Sequence, residues 1–208
     1  MFDWDGTLAD STDIIASVLQ SACRELGHRV PDREAARHVI GLGLVDALRH
    51  AAPEVRPDQF TALAARYRDH YLARESNIVL FEGARDLLER LRSRYLLGVA
   101  TGKNRIGLDR AMGQHALTAT FHGTRCADEA APKPDPAMLV DLMNRLQVRP
   151  AETLMIGDTT HDVEMGRRAG VRAIAISHGA HSKDKLALAE PFAIVDSLRE
   201  LEELLAKM

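Results

Sequence analysis

The chain has 208 residues, 46% of them hydrophobic, with 27 basic and 30 acidic side chains and a formal net charge of −3. That supplies apolar sequence for one substantial core or two unequal domains, and it excludes the basic footprint with which proteins hold nucleic acid or an anionic membrane. No stretch approaches the roughly 20 apolar residues of a membrane-spanning helix. Residues 1–13 carry four aspartates where a secretory leader needs bases and an apolar run, and Cys23 and Cys126 lack any metal or redox spacing. The expectation is a reduced, cytoplasmic protein, a monomer or a homodimer, whose partner is a small molecule.

The N-terminal stretch MFDWDGTLADS sets two carboxylates, Asp3 and Asp5, one residue apart and beside Gly6. Residues 14–26 then place Ile15, Val18, Leu19, Ala22, Cys23 and Leu26 on one helical stripe, stopped by Gly27. Residues 33–50 read as shorter helices broken at Gly41 and Gly43, and a second long stripe of Phe60, Leu63, Ala64, Tyr67 and Tyr71 follows Pro57. No strand is predicted between residues 12 and 77. After Gly83 the texture alternates: helix 84–94, strand LLGVA at 96–100, helix 104–113 and a short strand near 121–125. Helix 136–146, strand TLMIG at 153–157, helix 161–169, strand RAIAIS at 172–177 and strand FAIV at 192–195 continue the pattern. A last helix begins at Ser197, with Glu200 completing a capping box ahead of Leu201, Leu204 and Leu205. Strands alternating with helices predict βαβ units on a parallel sheet. The fold class is therefore α/β: a Rossmann-like parallel sheet core, residues 1–12 and 82–208, interrupted by an inserted all-α unit, residues 13–81.

In such sheets ligands bind beyond the carboxyl ends of the strands. Four clusters of chemistry-bearing residues fall there: Asp3, Asp5, Gly6 and Thr7; Thr101-Gly102-Lys103; Lys133 within APKPDP; and Asp158 and Asp162 within GDTTHD. Two carboxylates about 4 Å apart repel by roughly 4 kcal/mol at an effective dielectric of about 20, so convergence of Asp3, Asp5, Asp158 and Asp162 demands a cation. An all-oxygen donor set without His or Cys at ligand spacing suits Mg2+. Asp158 and Asp162 stand four apart at a helix start and can face one point. The Thr101 hydroxyl and the amides of Thr101 and Gly102 can hold phosphate oxygens. Lys133 adds a compact positive charge, and Pro132, Pro134 and Pro136 restrict the backbone around it.

DWDGTLADS, VATGK, the isolated lysine of APKPDP and GDTTHD, in that order and spacing, resemble the four motifs of the haloacid dehalogenase-like hydrolase superfamily. Within it the chain resembles the phosphoglycolate phosphatase-like branch, whose helical cap is inserted after the first motif. The resemblance implies a Mg2+-dependent phosphatase for a small phosphorylated metabolite, acting through an aspartyl-phosphate. Asp3 is then the nucleophile, and Asp5 protonates the leaving alcohol before activating the water. Thr101 and Lys133 hold the phosphoryl group. Asp158 ligates Mg2+ with Asp3 and the backbone carbonyl of Asp5, while Asp162 supports the metal through its waters. Gly6, Thr7 and Gly102 belong to the phosphate-binding motifs, and the cap loop Gly41-Leu42-Gly43-Leu44 is expected to touch the leaving group.

A pyrophosphatase, or a phosphosugar mutase or phosphatase of the same superfamily, keeps all four motifs. A receiver-like signalling domain also combines acids, Thr, Lys and Mg2+, but it is shorter, lacks the insert, and places its lysine after the last acidic cluster. Taken singly, Thr101 reads as a helix cap, Lys133 as a solvated lysine and Asp162 as a charge complementing a helix dipole. The cap loop carries no charge, so a carboxylate-bearing substrate needs a base from elsewhere, with Arg37 and Arg49 nearest in sequence. His161, His178 and His181 are left without an assigned role. Because only Met1 and Phe2 precede Asp3, residues upstream of Met1 are expected to complete the first strand.

Overall fold

A computed structural model describes residues 1–208. Its central ladder is a single sheet threaded by the first three residues. Strand β3 (Gly98–Thr101) pairs in parallel with β4 (Gly123–Cys126). Strand β5 (Leu154–Gly157) pairs in parallel with β6 (Arg172–Ile176), and β6 with β7 (Ala193–Val195). Between β3 and β5 lies the Met1–Asp3 segment, with Phe2 bridged in parallel to both Val99 and Ile156. The Phe2 amide donates to the Gly98 carbonyl at 2.8 Å, and the Asp3 amide donates to the Ile156 carbonyl at 2.8 Å. Buried on both faces, β3, β5 and β6 after Arg172 read as continuous apolar runs instead of alternating ones.

Helices cover both faces of the sheet. On one side α5 (Ala84–Arg92), α6 (Arg105–Gln114) and α10 (Leu198–Leu205) send Leu88, Leu108 and Leu201 into a core shared with Phe2, Trp4 and Val99. On the other, α7 (Ala137–Leu146), α8 (Thr160–Arg168) and α9 (Lys183–Leu188) pack Met138, Leu142, Val163 and Leu186 against Met1, Ala100 and Met155. Each such leucine withdrawn from water is worth about 2 kcal/mol.

The remaining helices, α1 (Thr12–Glu25), α2 (Arg33–His38), α3 (Leu44–Ala51) and α4 (Pro57–Leu72), enclose a third core. Leu19, Ala22, Cys23, Val39, Leu48 and Leu63 meet there, so Cys23 is a small core residue. This all-α insert joins the sheet domain through an antiparallel pair, β1 (Ala9–Asp10) against β2 (Val79–Leu80). No helix is long and apolar enough to cross a membrane.

Differences from the sequence expectation have local causes. LLGVA forms a strand only from Gly98, because Leu96 lies half exposed outside the sheet. Between the strands expected at 172–177 and 192–195 lies the short helix α9, capped by Ser182 and anchored by the fully buried Leu186. One apolar anchor in six residues gives no helical period to read. The two-residue strands β1 and β2 are likewise too short to show alternation.

Candidate active site

Asp3 ends the central ladder fully buried, and the loop after it turns back at once. Gly6 takes φ +80°, and a Cβ there would overlap the Asp158 carboxylate. Thr7 donates its hydroxyl to Asp158 Oδ1 at 2.8 Å. Across from them the Ala180 amide donates to Asp158 Oδ2 at 2.6 Å, and a Cβ on Gly179 would again overlap that carboxylate. Asp158 thus sits in a cradle made by two glycines, one hydroxyl and one amide. Gly6 and Thr7 stand behind Asp158 and do not face the adjoining cavity.

Asp162 owes its position to the cap of α8. Thr159 Oγ1 accepts from the Asp162 amide, while Asp162 Oδ2 accepts from the Thr159 amide at 3.1 Å and its hydroxyl at 2.6 Å. That reciprocal cap fixes the side chain and leaves Asp162 Oδ1 to face the interior. Carboxylate oxygens of Asp3, Asp158 and Asp162 all lie within 4.8 Å of one another.

Lys133 supplies part of the required cation. Its fully buried ammonium lies 2.7 Å from both Asp3 Oδ1 and Asp162 Oδ1. These contacts are ion pairs without hydrogen-bond alignment, so both Asp3 oxygens, Asp162 Oδ1 and Lys133 Nζ lack a directed hydrogen-bond partner. Burial raises the Asp3 carboxyl well above its ordinary range against the pull of Lys133, with Asp162 and Asp158 adding to the rise. Burial, and then Asp162, push Asp158 up to about 7. One ammonium among three carboxylates leaves the cluster two charges short of balance when all are ionised. The donor set and its orphaned oxygens therefore fit a hard divalent cation of the Mg2+ type.

Asp5 points elsewhere. Its carboxylate accepts from the Ser11 hydroxyl at 2.7 Å and from Lys103 Nζ at 3.0 and 3.1 Å. Lys103 also donates to the hydroxyl of Tyr71, on α4, at 2.7 Å. Burial alone would lower the Lys103 pKa, but Asp5 and Tyr71 hold it above its ordinary value. Lys103, Ser11 and Tyr71 had no assigned role in the sequence reading. Lys103 stands inside VATGK, so the motif carried a signal; Tyr71 read only as part of an apolar stripe.

A cavity of about 700 Å³ opens from Asp3 and Asp5 between the sheet domain and the helical insert. Thr101, Gly102, Leu42 and Gly43 line it, with Tyr67, Tyr71 and Lys103. Arg37 and Arg49, the bases nearest in sequence, do not. Arg37 reaches Asp13 and the Gly179 and Ala180 carbonyls, and Arg49 pairs with Asp46 at the surface. The cavity wall instead carries Arg68 and Arg110; Arg110 pairs with Glu75 at 3.0 Å, and Arg68 has no ion-pair partner. His178 lies behind Thr7, stacked on Phe81, with Nε2 3.2 Å from the Thr7 carbonyl oxygen.

The cradle makes a direct prediction. Gly179→Ala is expected to displace Asp158 and weaken divalent-metal binding at least about tenfold, the scale seen when groups supporting a metal ligand are lost. Titrating Mg2+ against the melting temperature measures it, and an unchanged midpoint would mean that Asp158 does not bind the ion.

Residues 1–176 match the haloacid dehalogenase-like hydrolase family, and the chain belongs to it. A probable phosphatase, IndB, of Dickeya dadantii is 37% identical over 97% of this chain and 90% of its own length. A phosphoglycolate phosphatase of Pseudomonas putida is 30% identical over 97% of this chain and 77% of its own. Among solved structures, a haloacid dehalogenase-like hydrolase of Streptococcus pneumoniae superposes with a TM-score of 0.85 at 27% identity, covering 98% of this chain and 96% of that one.

Proposed function

We propose that the protein is a Mg2+-dependent phosphatase that hydrolyses a small, phosphoglycolate-like phosphate monoester through an aspartyl-phosphate on Asp3. The observation that carries this reading is Asp3 itself: fully buried, both oxygens without a directed hydrogen bond, at a strand end facing a cavity beside a lysine and two further acids. A carboxylate so placed is an unspent nucleophile. An Asp3 oxygen bonds to phosphorus as the ester P–O bond breaks, and Asp5, entering the step in its carboxylic-acid form, gives the departing alkoxide its proton. Asp5 then takes a proton from water, whose oxygen attacks phosphorus and releases inorganic phosphate and free Asp3.

Asp3, Asp158, Asp162 and the Asp5 backbone carbonyl would hold Mg2+, whose charge offsets that of the phosphoryl oxygens. Lys133, the Thr101 hydroxyl and the Gly102 amide hold the same oxygens, and Thr7 orients Asp158. Residues 13–81 act as the cap over residues 1–12 and 82–208, and Leu42 and Gly43 meet the leaving group. Hydrolysis of 4-nitrophenyl phosphate with Mg2+, abolished by a chelator and restored by Mg2+, tests the reading. Absence of turnover on this ester and on a panel of phosphorylated metabolites would overturn it.

Arg68 is the cation for a substrate carboxylate. Arg68→Ala is expected to raise KM for phosphoglycolate about tenfold while moving kcat little, on the scale of about 1.5–3 kcal/mol for a charge-assisted hydrogen bond partly screened at the rim. Equal KM values for both proteins would remove Arg68 from the substrate site.

A further inference from the structure

Three imidazoles from separate parts of the chain meet where the helical insert touches the sheet domain. His38 ends α2, His161 lies in α8, and His181 lies in the loop before α9. Ring centroids are 4.9 Å apart for His38 and His181, 5.5 Å for His38 and His161, and 5.3 Å for His161 and His181. Three imidazoles so close resemble a transition-metal site. The hydrogen bonds decide otherwise. The Thr160 amide, one of the donors left over at the start of α8, donates to His181 Nδ1 at 3.0 Å. Nδ1 is therefore the bare nitrogen, and the ring hydrogen sits on Nε2, which donates to the His38 carbonyl oxygen at 3.0 Å. A metal on Nε2 would force that hydrogen onto Nδ1, facing another N–H. His161 Nε2 donates to the same carbonyl oxygen at 2.9 Å, occupying its second lone pair.

We propose that His161 and His181 are positioning residues that clamp the end of α2, and with it the loop 39–43, over the Asp3 site. Arg37, one residue before the clamped carbonyl, donates to the Gly179 carbonyl at 2.5 Å and ties the same turn to the sheet domain. Beyond it, Val39 and Ile40 are buried, and the chain turns at Gly41 with φ +91°. A Cβ on Gly41 would stand 3.4 Å from Thr159 Oγ1 and 3.9 Å from Asp3 Oδ2. One on Gly102 would stand 2.5 Å from both the Gly41 and Leu42 carbonyl oxygens. The loop is thus in contact with the nucleophile's surroundings and with the phosphate-binding turn. A displacement of about 1 Å there is enough to cost roughly a hundredfold in rate.

The clamp is tested with the His161→Ala/His181→Ala double variant against the His161→Gln/His181→Gln pair, whose amides retain an N–H donor. Its kinetic arm rests on the phosphatase reading, and its exchange arm does not. Relative to the wild type, the alanine pair is expected to lose roughly a hundredfold in kcat/KM on 4-nitrophenyl phosphate, whose leaving group reaches the loop. It should lose far less on acetyl phosphate. Amide hydrogen exchange at Ile40 and Leu42 should accelerate in the alanine pair, and the glutamine pair should restore both rate and protection. Equal losses on the two substrates with unchanged exchange, or no rescue by glutamine, would overturn the clamp. So would micromolar Zn2+ that inhibits the wild type and spares the glutamine pair, which would assign the three rings to a metal. Should the wild type hydrolyse neither compound, the phosphatase reading fails; faster exchange at Ile40 and Leu42 then still supports the clamp, and unchanged exchange overturns it.

Discussion

Asp3→Asn is expected to lower kcat at least about ten-thousandfold while leaving the melting temperature of the metal-free protein unchanged or higher. The substitution removes the attacking oxygen and keeps the shape. Its effect on stability follows from the sign of the shift. Burial raises the Asp3 carboxyl above its usual 3.8. Ionised Asp3 therefore costs folding free energy, a cost present at neutral pH and relieved as the pH falls toward the unfolded value. Asparagine never incurs it. Asp5→Asn should behave differently, because Asp3 can still attack while the water that cleaves the adduct loses its base. Intact-mass spectra of Asp5→Asn after exposure to substrate should then carry a phosphoryl adduct absent from Asp3→Asn. Retained turnover in Asp3→Asn, with no adduct in any variant, would sink the covalent route.

Much of this arrangement is legible in the amino-acid sequence, and the reason is physical. Buried parallel strands must be apolar and long helices must carry a stripe, so the βαβ alternation after Gly83 and the helices between residues 12 and 72 announced themselves. Elements with one fully buried apolar residue or one short pairing did not: α9 buries only Leu186, and β1 and β2 share a two-residue pairing. Within the site, Asp3, Thr101, Lys133, Asp158 and Asp162 stand out because motif order substitutes for spatial knowledge. Partners contributed from across the fold have no such marker. Tyr71 comes from the helical insert to Lys103, and His38 is clamped by two rings more than a hundred residues later in the chain. Sequence proximity also pointed to two guanidinium groups that do not line the cavity. Arg37 and Arg49 are near the cap loop in sequence, yet Arg37 is turned into the Gly179–Ala180 backbone and Arg49 pairs with Asp46 at the surface, while Arg68 and Arg110 stand on the cavity wall.

Lys133→Met is expected to destabilise the metal-free protein by about 3–5 kcal/mol at neutral pH, the scale for removing one partner of a buried ion pair. Methionine fills much of the same space, so the loss isolates charge: Asp3 and Asp162 would each keep a buried carboxylate without the ammonium now 2.7 Å away. Burial alone would lower the Lys133 pKa, but Asp162 and Asp3 hold it above 10.5. The lysine's contribution is thus fully present below that value and fades only as the pH rises past it, so its own titration leaves the effect constant across the neutral range. Adding Asp162→Asn to Lys133→Met should recover about 1–3 kcal/mol, since the second change removes one of the two stranded charges. Saturating Mg2+ should also recover part of the loss by binding only the folded protein. The same ammonium would neutralise phosphoryl oxygens in the transition state, so kcat of Lys133→Met should fall roughly a hundredfold or more even where Mg2+ restores stability. Urea unfolding of the wild type, both single variants and the double variant, with and without Mg2+, closes the cycle. Additive single effects would mean that Lys133 does not compensate the acids, and a Lys133→Met enzyme with normal kcat would remove it from the phosphoryl site.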